Sequence, residues 1–187
     1  QFVSIREAVV RVGLSETRRV TKTALMVNAF GGNAKTLDYA DFWRHSLLVG
    51  VAAKYVQDQI PGISPLLSEE AYLAGLLHDV GKLILDQHFE TEFREVQRMT
   101  DERSCTAAEA EREVLGVDHG YVAAELLELW GLPDSILNAV RWHHSPDHAP
   151  DEIKPGAFLV QWADYQVHLT MDARKSPVIE ISTPPAI

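Results

Sequence analysis

The run Leu76-Leu77-His78-Asp79-Val80-Gly81-Lys82 sets an imidazole beside a carboxylate at the foot of an apolar segment, just before a glycine and a lysine. Adjacent nitrogen and oxygen donors form a bidentate clamp for a divalent metal. Neutral imidazole suits Zn, Fe, Ni or Cu, and carboxylate adds Mn or Mg. One His-Asp pair occurs by chance in many proteins. Here it belongs to an ordered series, with His45 upstream and His119, the pair His143-His144, and Asp164 downstream. Lys82 has the charge to neutralise a phosphate oxygen, and reads equally well as a solvated lysine following a helix end.

Helix signals dominate the elements that must carry these groups. Ser4 with Glu7 makes a capping box, followed by Ala8, Val9 and Val12 until Gly13. Ser15 starts a second helix that the Gly31-Gly32 pair stops. Asp38 opens a third, in which Phe42, Leu48, Val49, Ala52, Ala53 and Val56 recur at helical spacing and His45 shares a face with Asp41. Ser68, with Glu69 and Glu70 behind it, caps a helix that buries Tyr72, Leu73, Leu76 and Leu77 and ends at His78-Asp79.

An amphipathic helix is predicted from about Phe89 to Met99. Thr106 with Glu109 opens another that Gly116 closes, and His119 immediately precedes a helix from Gly120 to Trp130. Asp134 or Ser135 caps the segment Ile136 to His144, and Pro155 stands near the start of a last helix containing Phe158, Leu159, Trp162, Ala163 and Asp164. Residues 176–187 read as an extended tail, with Pro177, alternating Val178-Ile179-Glu180-Ile181 and Pro184-Pro185. The expectation is all-α: one domain over 1–175 followed by that tail, with six or seven ligands on separate helices converging as bundle metal sites do.

Composition narrows the function classes. The chain of 187 residues is 46% apolar and 24% charged, as ordinary globular domains are. No apolar run reaches the roughly 18 residues of a membrane span, no charged leader opens the chain, and Cys105 is the only cysteine, so a reducing cytoplasm is expected. A net charge of -10, from 27 acids and 17 bases, repels phosphate backbones and argues against nucleic acid. It leaves room for a small phosphorylated ligand, because bound cations reverse the local potential. Each histidine also has a plain reading as a packed or solvated side chain. His88, His148 and His168 are left there, Asp41 is read as a solvated helix residue, and His143-His144 could simply complement a helix dipole.

Several segments together resemble a known family. Trp43-Arg44-His45-Ser46, Ala74 through Lys82, Glu113-Val114-Leu115-Gly116-Val117-Asp118-His119, Leu129-Trp130-Gly131-Leu132-Pro133, Trp142-His143-His144 and Leu159 to Asp164 are similar to successive motifs of the HDOD domain. The opening Ile5 to Leu14 is similar to its preceding helix. HDOD is a branch of the HD metal-dependent phosphohydrolase superfamily. The resemblance implies an HD-like helical bundle with a metal site between helices. It implies one ion on His45, His78, Asp79 and Asp164. In the related HD-GYP phosphodiesterases a second ion rests on three more histidines, here His119, His143 and His144, with the dyad aspartate, here Asp79, as bridge.

The cofactor implied is one or two divalent transition metal ions: Fe, Mn, Ni or Zn. The role implied is a bacterial signalling output module attached to regulatory protein domains. The alternative is a phosphohydrolase or phosphodiesterase acting on a nucleotide-like phosphoester through Asp79 and Lys82. The stretch after His144, Ser145-Pro146-Asp147-His148-Ala149-Pro150, lacks the Gly-Tyr-Pro signature, so cyclic di-GMP is not specifically supported. Family members usually carry a further helical subdomain before this point, which the chain is expected to lack.

Overall fold

Asp38 ends an extended entry segment, and its carboxylate accepts the N–H of Asp41 at 2.9 Å. That cap opens α1 (Tyr39–Gln59), as the sequence led us to expect. The computed structural model describes residues 9–11, 13, 14, 17, 21, 24, 25, 27, 28, 30, 35–103 and 105–175. The Ser4–Glu7 capping box, the start at Ser15, the Gly31-Gly32 stop and the 176–187 tail lie outside them. Every described element is helical, and there is no strand among the described residues.

Next comes α2 (Ser68–Leu77). Ser68 is not its cap. Leu67 holds that position, Glu70 reaches back to accept the Leu67 N–H at 2.9 Å, and the Ser68 hydroxyl takes a hydrogen bond from Lys54. His78 and Asp79 then turn the chain directly into α3 (Val80–His88), where the sequence pattern predicts only the end of a helix at His78-Asp79. A Cβ on Gly81 would lie 2.0 Å from the carbonyl oxygen of His119, so only glycine lets α3 and α6 meet there.

The remaining elements are α4 (Glu90–Glu102), α5 (Ala107–Leu115), α6 (His119–Leu129), α7 (Asp134–Trp142), a 3-10 turn (Pro146–His148) and α8 (Lys154–Lys175). The Thr106–Glu109 capping box is present, and Gly116 closes α5 at φ +80°. Asp118, whose side chain accepts the Tyr121 N–H at 2.9 Å, caps α6. At α7 the cap position falls on Pro133, with Asp134 as the first helical residue.

The main core joins α1, α2, α3, α6, α7 and α8 through Trp43, Val49, Leu76, Leu77, Leu83, Leu127, Ile136, Val140 and Val160. Val96, Met99 and Ala110 form a separate small cluster between α4 and α5. A Cβ on Gly75 would stand 2.8 Å from the Cα of Gly50, so α1 and α2 cross backbone to backbone. His45 precedes that crossing on α1 and His78 follows it on α2, each by about one turn. Their rings therefore face each other, with centroids 5.4 Å apart. No helix among the described residues is long and apolar enough to cross a membrane.

Gly81→Ala is expected to lower unfolding stability by about 1–3 kcal/mol in urea denaturation, because the added methyl forces α3 from α6. Gly156→Ala, whose Cβ meets nothing closer than 3.6 Å, is the control. It should be neutral or more stable by up to about 1 kcal/mol. Equal effects at the two positions would contradict the close-approach argument.

Candidate metal centre

Helix ends place most of the ionisable groups. His78 is the C-cap of α2, Asp79 the N-cap of α3, His119 the first residue of α6, and His143 the C-cap of α7 with His144 behind it. His45 projects from α1 and Asp164 from α8. The last turn of α2, the first turn of α6 and the end of α7 thus meet at one depth. His78, His119 and His143 have no solvent exposure, and Asp79 has only 4%.

The sequence-predicted residues do come together. His45 Nε2 lies 3.0 Å from Asp164 Oδ1, and His78 Nε2 lies 3.5 Å from the same oxygen and 3.4 Å from Asp79 Oδ1. On the other side of Asp79, His119 Nε2 approaches its Oδ1 at 2.9 Å and His144 Nε2 at 2.7 Å. His143 lies between the two sides, its ring centroid 5.1 Å from that of His78 and 5.5 Å from that of His119. Two atoms sharing an ion at 2.0–2.1 Å, at angles of 90–110°, stand roughly 2.9–3.4 Å apart. The 3.0, 3.4 and 2.9 Å separations lie in that range, and those of 3.5 and 2.7 Å fall just outside it.

Three groups of described side chains bring their ligand atoms within 4.8 Å of one another: Asp79-His119-His143-His144, His45-His78-Asp79, and His45-Asp164-His168. Asp79 belongs to two of them, as a bridging carboxylate would.

Hydrogen bonding fixes which nitrogen points inward. Nδ1 of His78 lies 2.8 Å from the Gly75 carbonyl, and Nδ1 of His143 lies 2.6 Å from the Val140 carbonyl. A carbonyl only accepts, so a proton sits on each Nδ1, and in the neutral ring Nε2 keeps a lone pair. Nδ1 of His119 donates to Glu111 Oε2 at 2.6 Å, and the same oxygen accepts the His119 N–H at 2.8 Å. Backbone or carboxylate acceptors behind a ligating imidazole are the usual support of a metal site.

The inward atoms have no partners of their own. Nε2 of His45, His78 and His143, and Oδ1 of Asp79 and Asp164, are buried without a hydrogen bond. Stranding a buried polar group costs about 1–3 kcal/mol, more for a charge. Five such atoms facing one another fit a cation. The donor set therefore suits the divalent ion implied by the dyad.

Electrostatics point the same way. Burial alone would raise the Asp79 carboxyl, but the charges of His78, Lys82 and His119 hold it well below the usual range. Burial would likewise raise Asp164, and its contacts with His168, His45 and His78 reverse that strongly. Burial, with the neighbouring His78 and His119, pushes His143 down to about 3, and it lowers His144 too. Both are neutral near pH 7, the form that binds a metal. Burial and Lys82 depress His119, yet Asp79 and Glu111 raise it overall, and the same carboxylates would attract a cation.

Lys82 is not a lysine after a helix end. It stands in the first turn of α3, where the helix dipole disfavours a cation, and its Nζ pairs with Asp79 Oδ2 at 2.7 Å. Asp41 pairs with Arg44 at 3.0 Å on the surface, in keeping with its reading as a solvated residue. His88 and His148 join none of the three groups.

Two participants escaped the sequence reading. Glu111 is fully buried, and its signal was an acid on the apolar stripe of α5, in register with Ala108 and Leu115. His168, read as a packed or solvated side chain, lies one turn after Asp164, with Nδ1 2.9 Å from Asp164 Oδ1 and its ring centroid 4.5 Å from that of His45. Its contact with Asp164 raises its pKa.

The HDOD domain model matches residues 1–146. A crystal structure of an HDOD domain protein with unknown function from Geobacter sulfurreducens is 29% identical, with a TM-score of 0.79 over 95% of this chain and 59% of that one. The MmoQ response regulator of Methylococcus capsulatus str. Bath is 26% identical, with a TM-score of 0.58 over 94% of this chain and 67% of that one. An uncharacterised protein of Treponema pallidum (strain Nichols) is 26% identical over an alignment of 174 residues that covers 88% of this chain and 31% of that protein. The chain thus spans about a third of that curated relative and about three fifths of the Geobacter structure.

Glu111→Ala leaves the His119 N–H and Nδ1 without their buried acceptor. Unfolding stability measured with chelator present should fall by about 1–3 kcal/mol. Unchanged stability would mean that Glu111 does not hold His119.

Proposed function

This chain belongs to the HDOD domain family, and from that premise we propose that it is the metal-binding output domain of a bacterial signal transduction protein. One observation carries the reading. Buried Nε2 and carboxylate atoms converge without hydrogen-bond partners, while acceptors behind His78, His119 and His143 hold their other nitrogens. His45, His78, Asp79 and Asp164 hold one ion, and Asp79, His119, His143 and His144 a second. The metal is Fe, Mn, Ni or Zn, as imidazole and carboxylate ligands suit. The described likeness to a response regulator supports signalling, with regulatory protein domains as partners. The setting is cytoplasmic, and the acidic surface disfavours nucleic acid.

Lys82 favours a second reading, as a metal-dependent phosphohydrolase acting on a nucleotide-like phosphoester. When bound, such cations lower the pKa of a water towards 7 and offset charge on phosphoryl oxygens. The chain supplies the rest. Lys82, held against Asp79 and kept protonated by that carboxylate despite its burial, places a fixed positive charge beside the ligand set. The backbone carbonyls of Gly75 and Val140 keep two imidazoles oriented, which limits reorganisation. A phosphorylated small molecule is the ligand in this reading.

Protein purified without chelators is expected to carry about one to two equivalents of transition metal by elemental analysis. Asp79→Ala should lose both ions and melt at a lower temperature, since bound metal stabilises the fold by mass action. His119→Ala should lose only the second. Parental metal content and melting temperature in Asp79→Ala would refute the reading. Phosphatase and cyclic-nucleotide assays on metal-loaded protein separate the two roles: only an enzyme shows turnover, and its Lys82→Ala variant should be slower with metal content intact.

A further inference from the structure

Asp164 and His168 line one end of a groove of about 1260 Å³ between α1 and α8, whose walls include Tyr55, Ile60, Phe158 and Trp162. The groove meets the metal centre on the side where burial is least complete: the His168 side chain is 55% exposed, against 10% for His45. His45 Nε2 stands 3.0 Å and His168 Nδ1 2.9 Å from Asp164 Oδ1. Both separations match ligands that share an ion. Neither Asp164 Oδ1 nor His45 Nε2 has a hydrogen bond, so the approach of His168 is not satisfying that carboxylate oxygen. Three atoms on two helices face a common point, and among them only His168 Nδ1 has a hydrogen bond, to the Asp164 backbone carbonyl at 3.2 Å.

We propose that His168 is itself a metal ligand, on the groove side of the ion held by His45 and Asp164. The inference rests on the metal-centre reading above and adds a ligand to it. Its position has a consequence. At the helix ends His78, Asp79, His119 and His143 are buried, whereas His168 is the one a molecule entering from the groove meets first. It is the ligand such a molecule would displace. The competing role is that of a positioning residue, since Nδ1 also lies 3.2 Å from the Asp164 backbone carbonyl and could donate there.

Cobalt(II) separates these roles, because X-ray absorption counts coordinated imidazoles and visible absorption reports ligand number. The whole chain, loaded with cobalt, is compared as parent and as His168→Ala, with circular dichroism confirming the fold. The variant is expected to bind cobalt at least about 10-fold more weakly, since losing a ligand should cost no less than losing a ligand's supporting partner. It should show fewer coordinated imidazoles and a changed visible spectrum. Free imidazole added to His168→Ala should fill the exposed gap and restore the parental spectrum. A variant with an unchanged imidazole count and no response to imidazole would overturn the proposal, even if affinity fell, because a positioning role predicts that pattern. His168→Gln adds a second check: it can hydrogen-bond to Asp164, so parental spectrum and affinity in it would also overturn ligation. Failure of the parent to take up cobalt would remove the metal centre itself, and this inference with it.

Discussion

The carboxylate of Asp79 is buried to 4% exposure, with His78, His119 and Lys82 all within 3.4 Å of its oxygens. A buried charge is tolerable only when opposite charge or donors surround it. The architecture meets that requirement at Oδ2, through Lys82, and leaves Oδ1 buried among imidazoles without a hydrogen bond. The chain breaks between α2 and α3 so that His78 and Asp79 can both turn inward. Gly81 lets α3 approach α6, which places His119 against Asp79. Lys82 takes the second carboxylate oxygen. Removing any one of these would leave the carboxylate under-compensated.

A second layer acts behind the first. The Gly75 and Val140 carbonyls and the Glu111 carboxylate each hold an imidazole by Nδ1, so three rings present Nε2 to the same interior. In their neutral form these rings face one another and two aspartates with lone pairs rather than donors. Such an arrangement is poor as a hydrogen-bonded core and good as a cation cage. The Nε2 atoms of His119 and His144, 2.7 Å apart, make the same point: a shared proton fits between them, or a shared ion to one side of the pair.

That these residues converge was legible in the sequence because each falls at a helix end or on a strongly patterned helix. His78-Asp79 follows an apolar run, His119 follows a glycine-terminated helix, and His143-His144 precedes a proline. The all-helical architecture was legible for the same reason. Other features depend on partners distant in sequence. The need for glycine at position 81 shows only once the His119 backbone is placed beside it. Lys82 looks solvated until α3 continues through it. His168 looks like a surface histidine until α8 packs against α1 and brings it to His45. Glu111 alone left a local trace, as an acid on the apolar face of α5.

Anomalous X-ray scattering from crystals grown without chelators, recorded at the edge of whichever metal the protein carries, tests the central claim most directly. The account expects one peak about 2.0–2.3 Å from Nε2 of His45 and His78, and a second, when both positions fill, at that distance from Nε2 of His119 and His143. It expects an Asp79 oxygen between them. Ordered water joining these atoms in a closed hydrogen-bond network, with no anomalous peak among them, would contradict it.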